Sequence, residues 1–282
     1  MVTNAIELKN LRKHYPGFTL GPLDLAVPTG CLVGYIGENG AGKSTTLKAI
    51  LNLVQADAGE VKLLGQTPGR EPAFMNQVGV VFDDLHLPFD MTVAEAGHFC
   101  QLAFATWDAA LFDRYLTRFK LPKKRRVKSL SRGMKMKLSL ALALSHGAKL
   151  LILDEATSGL DPVVRDELLD LLLDFLQDET HTVLISSHIL SDLEKAADYI
   201  AFLHEGRIHF FAPKDELKEA YALCTLTDEQ AEALPAKAIV GRRRHAFGQE
   251  LLVKRDCLPH GVDVVQPSIE DIMVYTIRGS EQ

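Results

Sequence analysis

Gly37-Glu38-Asn39-Gly40-Ala41-Gly42-Lys43-Ser44-Thr45 is the stretch that decides the fold, because it fits G-x-x-x-x-G-K-[ST] and has the flanks that pattern needs. Before it, Leu32-Val33-Gly34-Tyr35-Ile36 is a short apolar run of the buried-strand type; after it, Thr46 to Leu51 has helical character. The motif therefore sits at a strand-to-helix turn. Glycines let backbone N–H groups converge on an anion with no Cβ in the way, and the helix starting near Lys43 adds the positive end of its dipole. A polyphosphate suits such a cradle. Lys43 is placed to neutralise β- and γ-phosphates, the Ser44 hydroxyl to ligate Mg²⁺, and Thr45 to line the site beside them. The bland alternative is a glycine-rich turn with an exposed lysine.

Working outward, 282 residues are enough for one large or two unequal domains. Hydrophobic residues make up 47% and charged residues 24%, and the formal net charge of −6 gives no reason to expect nucleic acid or a membrane surface as a partner. Met1 to Asn10 lack the pattern of a secretion signal. The longest apolar candidate for a membrane span, Leu138 to Ala148, is too short and is closed by Lys149. Four scattered cysteines form no C-x-x-C pair, which fits reduced thiols and no cysteine metal site.

On the N-terminal side, Ala5 to Leu11 reads as a strand, and a turn at Arg12 to Gly17 leads into the alternating segment Phe18 to Val27. Tyr15 stands at that turn. An aromatic ring before a phosphate loop can stack on a purine base, or simply pack. On the C-terminal side, Gly59 to Gly65 and Gly79 to Phe82 are strands. From about 85 to 148 the character is helical, with helices over Thr92 to Phe104, Asp108 to Phe119 and Ser131 to Ser145. A helical subdomain is thus inserted between strands of the core. The basic run Lys123 to Lys128 reads as solvated surface. Less ordinary is the helix start after it: Arg132, Lys135 and Lys137 occupy first turns, where the macrodipole favours acids. An external anion would relieve that mismatch, with Ser131, Gly133 and bare N–H groups as a second phosphate contact.

Leu150-Leu151-Ile152-Leu153-Asp154-Glu155 is a buried strand of parallel type ending in two carboxylates. Successive residues point to opposite faces, so Asp154 can hold Mg²⁺ while Glu155 orients or deprotonates a water beside the γ-phosphate; the alternative is a charged strand end meeting solvent. Ser158 to Pro162 turns into a helix with Asp161 as N-cap and Val164, Leu168, Leu172 and Phe175 on its apolar face. His188 ends the next buried strand, Thr182 to Ser187, where it can donate to a γ-phosphate oxygen or serve as a turn residue. Ile200 to Leu203 and Arg207 to Phe211 make a hairpin. Beyond Lys218 the pattern is one of short strands, Ala222 to Thr227, Ala236 to Val240 and Glu250 to Lys254, then a helix begun by Ser268 with Asp271 in capping-box spacing. Arg242-Arg243-Arg244-His245 with Phe247 reads as a solvated hairpin tip before a nucleic-acid or lipid contact.

The phosphate loop, Leu130-Ser131-Arg132-Gly133-Met134, Leu150 to Glu155, Ser158 to Asp161 and His188, in that order, resemble the ATP-binding subunit of an ATP-binding cassette (ABC) transporter over about residues 4 to 218. Single-cassette ATPases of bacterial ABC-2-type exporters, including peptide and antibiotic exporters, are the most similar group. The resemblance implies an α/β fold: a P-loop NTPase core with an antiparallel β subdomain and an inserted α-helical subdomain. It makes residues 1–218 the ATPase domain and 219–282 a small α+β accessory region. It implies ATP and Mg²⁺ as cofactors, a separate integral-membrane permease, a location at the cytoplasmic face of the membrane, and a head-to-tail dimer with a second copy or a paralogous cassette. Each ATP would lie between Gly37, Asn39, Gly40, Ala41, Gly42, Lys43, Ser44 and Thr45 of one subunit and Ser131 and Gly133 of the other. Asp161 would cross the interface, Tyr15 stack on adenine, Glu155 act as general base and His188 as γ-phosphate switch. Two residues depart from the family pattern. Asp83 stands where glutamine is usual, with a metal or water role for its carboxylate; Arg132 and Met134 replace the glycine and glutamine of the signature. The rival functions are an ATP-driven clamp on ribosomes or DNA and a regulatory module that binds ATP without turnover.

Overall fold

The computed structural model describes residues 4–69, 72–88, 90–245, 248–259 and 261–280. At its centre is a six-stranded sheet in the order β5-β6-β7-β3-β8-β9, built from β5 (Val78–Val81), β6 (Leu150–Asp154), β7 (Thr182–Ser186), β3 (Leu32–Ile36), β8 (Tyr199–His204) and β9 (Arg207–Pro213). The first five pair in parallel and β9 closes one edge antiparallel to β8. Every residue of β3, β6 and β7 is buried, which is why these strands are continuous apolar runs without alternation. A second sheet, β2-β1-β4, is antiparallel: β1 (Asn4–Tyr15) pairs with β2 (Phe18–Pro28) and β4 (Ala58–Leu63). Its inner residues, among them Ile6, Leu11, Leu20 and Leu23, pack with Tyr35, Leu47 and Leu203 into one core under the phosphate loop.

Between β5 and β6 the chain leaves the sheet for α2 (Val93–Ala103), α3 (Ala109–Arg118) and α4 (Arg132–Leu144). Each starts at a side-chain cap: Thr92 with Glu95 in a reciprocal capping box, Asp108, and Ser131. Val93, Phe112, Leu116 and Leu138 bury against one another, giving the insert its own apolar centre. Asp161 caps α5 (Pro162–Phe175), its carboxylate accepting from Val164 N–H at 3.1 Å, as the sequence predicts.

The short helices α6 (Leu190–Ala196), α7 (Lys214–Ala220) and α8 (Asp228–Glu232) are not predicted from sequence. The C-terminal segment forms a third sheet, β10-β12-β11, with β10 (Tyr221–Leu226), β11 (Ile239–His245) and β12 (Gly248–Lys254). This corrects the expected strand at Ala236 to Val240: Pro235 starts a single 3₁₀ turn over Ala236–Ala238, and the strand runs later, through Arg242 to His245. The three arginines therefore lie along a strand; Phe247 lies outside the described residues. Ser268 opens α9 (Ile269–Ser280): its hydroxyl accepts from Asp271 N–H at 3.0 Å, and the Asp271 carboxylate accepts from Ser268 N–H at 2.9 Å. Leu252, Ile269, Ile272 and Tyr275 join the same buried cluster as Leu151, Leu153 and Val183 of the central sheet.

Candidate active site

The phosphate loop leaves β3 in contact with β8. A Cβ on Gly37 would lie 2.2 Å from the Leu203 carbonyl oxygen, so only glycine permits this exit. Gly40 and Gly42 have φ of 86° and 108°, the left-handed region that glycine adopts without strain. Helix α1 (Lys43–Ile50) begins at Gly42 with no side-chain cap and no acid in its first turn, leaving its N-terminal N–H groups for an acceptor from outside. Below the loop, Tyr35 donates its hydroxyl to Thr46 Oγ1 at 3.1 Å, and Thr46 donates to the Gly42 carbonyl at 2.9 Å. Full burial pushes the Tyr35 phenol well above its ordinary range, so it remains a donor. The Lys43 ammonium curls back to Gly37 O at 2.7 Å and Glu38 O at 3.1 Å, and lies 3.6 Å from Glu155 Oε1.

The acid pair divides at the end of β6, with Asp154 its last residue and Glu155 just beyond it, where the backbone leaves the strand conformation. Asp154 is buried and accepts from Ser186 Oγ at 2.6 Å. Glu155 turns the other way at φ 53°, a strained value held because its N–H bonds both Ser186 O (3.1 Å) and Ser186 Oγ (3.0 Å). Its Oε2 lies 2.5 Å from His188 Nδ1. With the carboxylate ionised, Nδ1 carries the proton and Nε2 is left for another partner.

These groups converge on one cavity of about 460 Å³, lined by Asn39, Gly40, Gly42, Lys43, Ser44, Thr45, Asp83, Glu155 and His188 among the predicted residues. Gly37 and Ala41 shape the loop from outside the lining. Ser131, Gly133 and Asp161 do not line the cavity of their own chain, and Asp154 is buried beside it. Tyr15 is not in the lining either. The aromatic ring that does line the cavity is Phe18, the cross-strand partner of Tyr15 in the β1–β2 ribbon, resting against Gly42. Sequence reasoning missed Phe18, Glu38, Ser158 and the wall role of Arg132. The signal for Phe18 was the two-residue alternation that sets it on the same face as Leu20.

The basic start of α4 is also corrected. Lys137 is ion-paired to Glu167 of α5 rather than waiting for an external anion. The run Lys123 to Lys128 is surface, as expected, with Lys123 paired to Asp113 and Arg126 and Lys128 to Asp90.

The family profile described as ABC transporter matches residues 20–158, from the β1–β2 ribbon to Ser158. The chain is 34% identical over 206 residues to the lantibiotic transport ATP-binding protein SrtF of Streptococcus pyogenes, covering 72% of this chain and 88% of that one. It belongs to the ATP-binding subunits of ABC transporters. A second such subunit, the bacitracin transport ATP-binding protein BcrA of Bacillus licheniformis, is 28% identical over 99% of both chains, the C-terminal sheet included. Among solved structures, one described as the ATP binding subunit of an ABC transporter superposes with a TM-score of 0.70 at 28% identity, over 76% of this chain and 92% of its own. Like other ABC cassettes, the chain binds ATP and hydrolyses it to power transport. Among the described residues no helix is long and apolar enough to cross a membrane. As a subunit of a transporter, the cassette works with membrane components.

Proposed function

We propose that the chain is the ATPase of a bacterial exporter and that it works as a head-to-tail dimer whose closure is driven by ATP. The observation that carries this reading is the convergence of Lys43, Ser44, Glu155 and His188 on one cavity, with Glu155 already hydrogen-bonded to His188. The relatives named above, transporting a lantibiotic and bacitracin, support export. The clamp on ribosomes or DNA is not favoured, since these relatives are transport proteins.

The residues fit a triphosphate. The N–H groups around Gly40 and Gly42 and the uncapped start of α1 cradle the phosphate chain, and Lys43 exchanges part of its contact with Glu155 for phosphate oxygens. Tyr15 and Phe18, side by side at the β1–β2 turn, offer aromatic faces for adenine. Among the described residues no group of three or more His, Cys, Asp or Glu could hold a metal alone. Ser44, Asp83 and Asp154 fit Mg²⁺ only together with phosphate oxygens and water, the donor set this ion prefers. Held there, the ion would supply positive charge that offsets the charge of the phosphates. Glu155 takes a proton from the attacking water, and His188 keeps that carboxylate oriented while its Nε2 faces the γ-phosphate. Ser131, exposed at the start of α4, and the half-buried Gly133 close over the γ-phosphate of the partner copy, with Asp161 alongside. Residues 1–218 form the ATPase domain and 219–282 an accessory region. The permease docks in the apolar cavity of about 310 Å³ between β5 and the insert, walled by Met75, Phe82, Leu85, Phe104 and Leu142. Through it the cassette sits at the inner face of the membrane.

Light scattering in ATP and EDTA tests the dimer. Wild type is expected to double its mass and Lys43→Ala to stay monomeric; a monomer under every nucleotide condition, with no membrane protein co-purifying, refutes the proposal.

A further inference from the structure

The two departures from the family pattern carry opposite charges; one stands before the helical insert and the other opens its last helix. Asp83 follows β5 and Arg132 is the first residue of α4, 49 positions later. The fold brings them together. Both line the cavity of the phosphate loop, and both line a second, polar cavity of about 350 Å³ beside it, with Asp84, Lys135 and Ser139.

Arg132 is seated rather than loose. Its guanidinium lies against Gly159: a Cβ there would fall 2.7 Å from Nη1 and 2.8 Å from Cζ. Gly159 has φ of 65°, so glycine serves both the turn and the close approach of the arginine. This seat belongs to the loop after Glu155, and it turns the side chain toward the phosphate loop of its own chain. Neither Arg132 nor Asp83 makes a side-chain hydrogen bond or ion pair with another described residue, so the charge of each acts on whatever fills the cavity.

A carboxylate lining a triphosphate site repels its ligand, and a guanidinium attracts it. We infer that Arg132 is a positioning residue for the nucleotide bound to its own chain, and that it offsets the Asp83 carboxylate there, so that the two departures balance. The inference rests on the proposed ATP site. It gives Arg132 a role in cis, beside whatever the neighbouring Ser131 and Gly133 contribute to a second copy.

The test is equilibrium binding of ATP and ADP in EDTA, at concentrations where light scattering reports a monomer, so that neither Mg²⁺ nor a partner copy contributes. Arg132→Gln is expected to weaken ATP about tenfold and ADP less, and Arg132→Lys to retain most of the affinity. Asp83→Gln is expected to tighten ATP by a similar factor, and the double variant to return within about twofold of wild type. Added salt should shrink these differences, which a purely structural loss would not do. Effects of the same sign from Asp83→Gln and Arg132→Gln, or no effect of Arg132→Gln in the monomer, overturn the inference. Failure of the site itself is distinct: wild type then binds no ATP, or Lys43→Ala binds as well as wild type.

Discussion

Replacing Glu155 by Gln removes one charge and almost no volume. The backbone at φ 53° is held by two bonds from its own N–H to Ser186, which the substitution does not touch. His188 Nδ1–H still finds a carbonyl oxygen at the position of Oε2. Lys43 loses a carboxylate at 3.6 Å but keeps the Gly37 and Glu38 carbonyls. That lost pair has a gross Coulomb energy of about 4 to 5 kcal/mol at an effective dielectric of 20, most of which is offset by desolvation of the buried ammonium. Folding should therefore change by no more than about 1 kcal/mol. Turnover should fall far more, since an amide cannot accept the proton of the attacking water. General-base catalysis contributes about 10²- to 10⁴-fold, or about 2.7 to 5.4 kcal/mol of barrier. Phosphate release measured in single turnover should drop by that factor while ATP binding holds or tightens, because a negative charge has left the phosphate site. An ATP-bound dimer should then accumulate on size exclusion with light scattering. Turnover within about threefold of wild type, or a loss confined to KM, would refute Glu155 as the base.

Other expectations follow from the same geometry. Gly37→Ala sets a methyl 2.2 Å from the Leu203 carbonyl and should abolish ATP binding and lower the melting temperature together, read by nucleotide titration and calorimetry. Tyr15→Ala and Phe18→Ala should each weaken ATP by about 1 kcal/mol or more while leaving inorganic tripolyphosphate binding unchanged, which separates a base contact from a phosphate contact. Asp161→Ala removes the cap of α5 and should cost about 1 kcal/mol in urea unfolding. His146 is buried, stacks on Phe104 at 4.1 Å and holds Asn76 O at 2.9 Å; burial lowers its pKa from the ordinary value. The unfolded chain therefore takes up this proton first as pH falls below about 6.5, and stability should decline through that window and be flat above it with respect to this group. His146→Phe should remove that part of the slope in pH-dependent denaturation.

The central sheet was legible because burial on both faces writes β3, β6 and β7 as unbroken apolar runs, and the helices because Thr92, Asp108, Ser131, Asp161 and Ser268 announce their starts. The phosphate loop was legible for a local reason too, whereas Asp154 and Glu155 part because the backbone turns at φ 53° beyond the strand end, not by strand alternation. What failed was non-local. Strand β11 begins at Ile239 rather than Ala236, and its three arginines, exposed as read, run up to the end of the hairpin it makes with β12. Lys137 looked like an unpaired charge because Glu167 lies on another helix. Tyr15 stands at its turn as read, while the lining role of Phe18 depends on its pairing with Tyr15 across the ribbon. Arg132 could be flagged as odd, but its seat on Gly159 depends on how the insert meets the loop after Glu155.

Strand β5 lies at the margin of the central sheet and is hydrogen-bonded to β6 alone within it. The insert departs from the end of this four-residue strand and returns through Gly147, at φ 77°, just before β6. The joint is not bare, however: Met136, Leu140, Ala143 and Leu144 of α4 share the buried cluster of the central sheet, and Lys137 and Arg118 pair with Glu167 and Asp174 of α5. The insert is therefore fastened to the core along the length of α4 as well as at its two chain crossings. At the start of that helix, Arg132 set against Gly159 adds one more contact between the insert and the loop after Glu155, so the insert meets the nucleotide loops as part of one packed body.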